Sequence, residues 1–96
     1  MNVPVAKIPA FEEPAGQFRR QVKRLPQRIQ RELAVSIDEL LAGTLAPGRR
    51  YEKLRGGNEL HSVRLTRNYR FVFQIFENGN AKPVAVGPHD DAYRSA

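Results

Sequence analysis

Two runs, His61-Ser62-Val63-Arg64-Leu65-Thr66 and Tyr69-Arg70-Phe71-Val72-Phe73-Gln74-Ile75-Phe76-Glu77, decide the fold. Both alternate with a period of two, which is the period of a strand whose successive side chains point to opposite faces. In the first run Val63 and Leu65 share one face with His61, and Ser62, Arg64 and Thr66 take the other. In the second, Phe71, Phe73 and Ile75 share a face, with Arg70, Val72, Gln74 and Phe76 opposite. Asn78-Gly79-Asn80 is a hairpin signal between β-prone runs. Val84 and Val86 then supply a last strand, ended by Gly87-Pro88. Upstream, Gly56-Gly57-Asn58 reads as a turn, and Tyr51 to Leu54 is either a turn of helix or extended chain.

The N-terminal half has a different period. Phe18, Val22 and Leu25 fall on one face at helical spacing, with Phe11 one step before and Arg19, Arg20, Lys23 and Arg24 outside. Glu12, Glu13 and Pro14 suit the start of that helix, where negative charge and a first-turn proline are both favoured. Pro26 restricts Leu25 and breaks the chain. A second apolar stripe follows: Ile29, Leu33, Ile37 and Leu40 or Leu41, stopped by Gly43. Val3 to Pro9 is β-prone and suits an edge strand, and Thr44 to Arg50 reads as a loop. Helices at one end and consecutive strands at the other predict an α+β domain, with an N-terminal helical hairpin packed on a small antiparallel sheet. Neither an internal repeat nor a second domain is visible, so residues 1–96 read as one domain.

Composition narrows the function classes. A 96-residue chain with 41% hydrophobic residues and no long apolar run is expected to be globular, without a membrane span. There is no cysteine, hence no disulfide framework and no thiolate chemistry. No secretory signal opens the sequence, and a cytoplasmic location is the expectation. The net charge of +6 favours an anionic partner, either nucleic acid or an acidic protein. The basic cluster from Arg19 to Arg31 is, taken alone, more commonly a solvated helix surface.

The chemistry-bearing residues gather late in the chain. A lone arginine on a strand is usually just exposed, but Arg64 and Arg70, framed by Ser62 and Thr66, favour a phosphate-binding surface. Lys53 and Arg55 add charge just upstream. His89 is followed at once by Asp90, Asp91 and Tyr93, which can orient it or exchange protons beside it. A zinc site from His61, His89, Asp90 and Asp91 matches no ligand spacing.

The helical hairpin, Glu52-Lys53-Leu54-Arg55-Gly56, Ser62-x-Arg64, Tyr69-Arg70 and the closing His89-Asp90-Asp91-x-Tyr93-Arg94 come in an order that resembles the RelE/ParE superfamily of bacterial toxins. The resemblance is closest to the RelE-like branch ending in His-Asp-Asp-x-Tyr. It implies a toxin of a toxin–antitoxin pair, acting as a metal-independent endoribonuclease on ribosome-bound messenger RNA. It also implies a cognate antitoxin that wraps the toxin into a hetero-oligomer. Under the resemblance Lys53, Arg64 and Arg70 match phosphate-contacting positions, while His89 and Tyr93 match the positions supplying acid, base or stacking groups. RelE itself is lysine-rich where this chain has His61 to Arg64. ParE-type relatives share the fold and poison DNA gyrase, so a gyrase inhibitor or an inactive antitoxin-binding relative is the alternative.

Overall fold

The computed structural model describes residues 1–56 and 59–96. Of the expected turn at residues 56–58, Gly57 and Asn58 lie outside the described residues. The elements run β1 (Val3–Pro4), α1 (Gly16–Arg24), α2 (Gln27–Ala42), β2 (Thr44–Leu45), β3 (Glu52–Lys53), β4 (Leu60–Thr66), β5 (Tyr69–Ile75), β6 (Ala81–Pro88) and α3 (His89–Ser95). An antiparallel sheet, ordered β3-β4-β5-β6, forms the middle layer, and β1 pairs with β2 in a separate two-stranded piece. The architecture is α+β, with the helical hairpin at the N-terminal end, as the two periodicities predict.

The hairpin forms for local reasons. Pro26, at φ −54° and ψ 147°, lets α1 end at Leu25 and α2 begin at once. Gln30 reaches back from α2, and its side-chain amide donates to the carbonyl of Leu25, just past the end of α1, and to that of Val22, which also accepts the capping N–H of Leu25. Gly43 ends α2 in the left-handed region, at φ 78°, with its N–H returned to the last turn. Together α1 and α2 bury Phe18, Ile29, Leu33 and Leu40 against Val63, Leu65, Phe71 and Phe73 of the sheet. Both apolar stripes and the alternation of β5 are those read from the sequence, whereas on β4 the alternation holds through Leu65 and a bulge there sets Thr66 opposite Tyr69, on the hairpin side and away from Ser62 and Arg64.

Two segments differ from expectation. Glu12, Glu13 and Pro14 do not start α1; residues 10–15 run extended along the outer edge of β6. Glu12 N–H donates to Ala81 O (2.7 Å), Ala15 N–H to Pro83 O (3.0 Å), and Ala10 O accepts from Ala81 N–H (3.0 Å). A strand edge with open backbone groups outcompetes one more helical turn, because each bond satisfies a donor that helix initiation would leave open. Likewise Thr44–Leu45, expected in a loop, pairs with Val3–Pro4, and this pairing is the only part of the predicted N-terminal strand that forms.

Arg49 joins the layers. It is 7% exposed, with Nε 2.9 Å from Glu39 Oε1, Nη1 3.1 Å from Glu32 Oε1, and further bonds to the carbonyls of Arg64 and Leu65. One guanidinium therefore ties α2 to β4. Phe73 has no exposed surface and stacks on His61 at 6.0 Å. Phe73→Ala is expected to cost about 3–5 kcal/mol of unfolding free energy, the usual loss for a buried phenylalanine. Arg49→Ala should cost about as much, since it strands Glu39 and two buried carbonyls. Arg49→Lys should rescue little, because an ammonium cannot reproduce the planar fork. Urea denaturation of the three variants checks this; an Arg49→Ala protein as stable as wild type would remove the clamp from the account.

Candidate functional site

Sheet register builds the site. Ser62 lies opposite Val72, and Arg64 directly opposite Arg70. Ala85 and Gly87 continue those two rows onto β6. All six positions share the face turned away from the helical hairpin, and α3 crosses that face. Ala92 packs there on Val72 and Ala85, with Leu54, Leu60, Val84 and Tyr93 around them. The sequence reading leaves His89 to Tyr93 as a tail beyond the last strand. It is a helix, started by Pro88 and carrying Asp90 and Asp91 in its first turn, where the helix dipole favours them.

The helix encloses Arg70, which is only 4% exposed. Its Nη2 donates to Ser62 Oγ at 2.6 Å and to the Arg50 carbonyl at 3.0 Å, and it stands 3.8 Å from Glu52 Oε2. Tyr93 Oη donates to Glu52 Oε2 at 3.2 Å and lies 3.2 Å from Ser62 Oγ. A hydroxyl has one proton, and that of Tyr93 is spent on the carboxylate, so Ser62 donates to Tyr93. The chain thus has a direction: Arg70 to Ser62 to Tyr93 to Glu52. His89 rests over Tyr93 with ring centroids 4.3 Å apart, its Nδ1 3.3 Å from Asp90 Oδ1.

Arg64 is different. Among the described residues its side chain has no hydrogen bond and no ion pair, and its Nε, like that of Arg70, is buried without a partner. The two guanidiniums start from directly opposed positions of neighbouring strands. Like charges so placed repel. Among the described residues Glu52 is the one carboxylate within 4 Å of either guanidinium, with Asp91 lying over Gly87 at the end of the row, so the two cations share a single paired anion.

Lys53 is not brought to this group. It pairs in register with His61, which puts it on the face of the hairpin, and its ammonium is 3.0 Å from Glu59. That bond and the charge behind it hold the Glu59 carboxyl below its usual range, while burial and Glu59 push the Tyr51 phenol up. His61 belongs to the same side, with Nδ1 3.0 Å from Tyr51 Oη. The sheet therefore separates His61 from His89. Arg55 is exposed in the bend after β3.

Glu52 escapes the sequence reading although it neighbours Lys53. The signal was the strand register: once Tyr51 to Leu54 is extended, one residue of the pair must face each way. Gln17 and Gln21 also act on the site from a distance. Gln17 Nε2 donates to Ser95 O (2.6 Å) and Val84 O (3.0 Å). Gln21 donates to Ser95 Oγ (2.9 Å) and accepts from Val86 N–H (2.9 Å). These bonds hold the last turn of α3 to α1 around the edge of β6, and with it Tyr93 over Ser62.

No protein-family model matches the chain, and no curated protein matches it significantly. The site's energetics can be tested directly. Arg70→Ala takes the guanidinium donor from Ser62 Oγ and from the Arg50 carbonyl and opens a void, at a cost of roughly 2–4 kcal/mol. Arg64→Ala removes a cation with a repulsive neighbour and no partner among the described residues, so stability should stay within about 0.5 kcal/mol. Equal losses in both variants by thermal or urea denaturation would contradict this division.

Proposed function

We propose that the chain is the toxin of a toxin–antitoxin pair, acting as an endoribonuclease on messenger RNA in the ribosome. The observation that carries the reading is the opposed Arg64–Arg70 row, whose two cations share a single paired anion, bordered by Glu52, Tyr93 and His89. Cleavage of RNA through its own ribose needs a base at the 2′-hydroxyl, an acid at the departing 5′ oxygen, and cations for the charge that develops on phosphorus-bound oxygens. In this reading Glu52 takes the 2′-hydroxyl proton, and the new 2′ oxygen–phosphorus bond forms as the bond to the 5′ oxygen breaks. His89 gives that oxygen its proton, and a 2′,3′-cyclic phosphate remains. Arg64, without a partner among the described residues, binds the scissile phosphate. Arg70 acts from beneath, fixing Ser62 and through it Tyr93, whose ring is placed to stack on an adjacent base.

A +6 toxin calls for an acidic antitoxin. Their association is expected to slow steeply with added salt, while dissociation changes less. A gyrase inhibitor of the ParE type is the rival reading, and it needs none of the proton-transfer groups. His89→Ala and Glu52→Gln should each slow single-turnover cleavage of ribosome-bound messenger RNA by about 10²–10⁴-fold, with ribosome binding little changed. The reading fails if the wild-type protein leaves messenger RNA intact on programmed ribosomes while blocking gyrase supercoiling.

A further inference from the structure

Just beyond the Arg64–Arg70–Gly87 row, the sheet ends in two hollows that share one wall. The first, of about 470 Å³, lies between α1, β6 and α3, and carries Arg24, Arg94, Asp91 and Tyr69 over an apolar floor of Leu25 and Val86. The second, of about 350 Å³, lies between the turn of the helical hairpin and the β4–β5 turn, with Arg28, Arg67 and again Tyr69 in its wall. Tyr69 is half-buried, anchored on the core, and pairs in register with Pro88. Each hollow therefore has two arginines on its rim and the same aromatic ring at its side.

None of these four arginines has an ion-pair partner among the described residues, whereas Arg19, Arg49, Lys53 and Arg70 all have carboxylates within reach. Among the described residues the only carboxylate lining either hollow is Asp91. His89, the first residue of α3, donates its N–H to Asn68 O, and Asn68 lines the second hollow. The groove thus begins where the candidate site ends.

We propose that this groove holds single-stranded RNA on one side of the scissile phosphate, with Tyr69 stacked against a base and the arginines Arg24, Arg94, Arg28 and Arg67 on the backbone. The choice of RNA rests on the ribonuclease reading above; the groove itself rests on the hollows and their charge. Repeated cation pairs either side of an aromatic ring suit a chain of phosphates with bases between them better than a single small anion. Asp91 can only accept hydrogen bonds, and an exocyclic amino group offers it two N–H donors where uracil offers only its N3–H, so cytosine is favoured over uracil in the first hollow.

Binding of a fluorescent decaribonucleotide to the isolated protein, measured by anisotropy across a salt series, tests the groove apart from catalysis. Oligo(C) should bind more tightly than oligo(U), and Asp91→Asn should erase the difference. The double variant Arg24→Ala/Arg94→Ala should weaken binding at least tenfold and reduce the slope of log K against log salt by roughly 1.4, as loss of two phosphate contacts to a single strand does. Tyr69→Ala should weaken it about 5–150-fold with little change in slope; should that variant not fold, the surface double variant decides alone. Wild-type affinity in the double variant overturns the groove even if messenger RNA is cleaved on ribosomes. Equal competition by poly-glutamate and unlabelled RNA overturns it too. Failure of cleavage with intact groove binding overturns only the ribonuclease reading.

Discussion

Burying a guanidinium is costly unless it finds acceptors, and those supplied to Nη2 of Arg70 fix four separate parts of the chain. Ser62 must stand across from Val72 on β4, the Arg50 carbonyl must turn inward, β3 must carry Glu52 on this face, and α3 must lay Tyr93 over the serine. Arg50 reaches its place in the left-handed region at φ 47°, a conformation that costs a non-glycine residue energy. Strain of this kind survives only where the surroundings hold it. Here they are the same hydrogen-bonded chain that the site uses.

Seen from the sheet, the molecule divides labour between two faces. The hairpin side is apolar and carries most of the core, with Arg49 as its one deeply buried cation among the described residues. The α3 side is thinner, with a small cluster of Val72, Ala85 and Ala92, and the buried Arg70 and Ser62 are linked there to the more exposed Tyr93 and Glu52. Arg64 is left over on that side. A protein selected for stability alone would gain by replacing it, since it adds repulsion and takes no partner among the described residues. The phosphate contact proposed above gives that cation a role that its protein surroundings do not.

How far the sequence could be read follows from which forces are local. The hairpin and the strand alternation were legible, because each is set by spacing within one segment. Phe18 and Val22 announce a helix without reference to the rest, as Phe71 and Phe73 announce a strand. Residues 10–15 were misread because the deciding partner, the edge of β6, lies some seventy positions along the chain at Ala81 and Pro83. The seven residues of α3 were missed because so short a helix has little stability of its own and owes its shape to Val72 and Ala85 beneath it. Arg64, Arg70, His89 and Tyr93 were singled out by residue type, and the fold brings them to one side of the sheet. What spacing could not give was which of them would be enclosed, or that Glu52 and not Lys53 would face them.

The glutamines that secure α3 have a second effect, on how copies of the chain meet one another. A glutamine side chain carries the same amide as a peptide bond, and Gln17 and Gln21 present theirs to Val84 and Val86 as a neighbouring strand would. Residues 10–15 occupy the preceding stretch of the same edge. The border of β6 is thereby closed along most of its length by groups from its own chain, so a second molecule finds no open ladder there to extend. A newly made copy keeps this protection only while α1 stays folded against the sheet. The amphipathic helix that carries the two amides is therefore also the guard against fibrous association, and its loosening would expose a strand rich in valine and alanine to its neighbours.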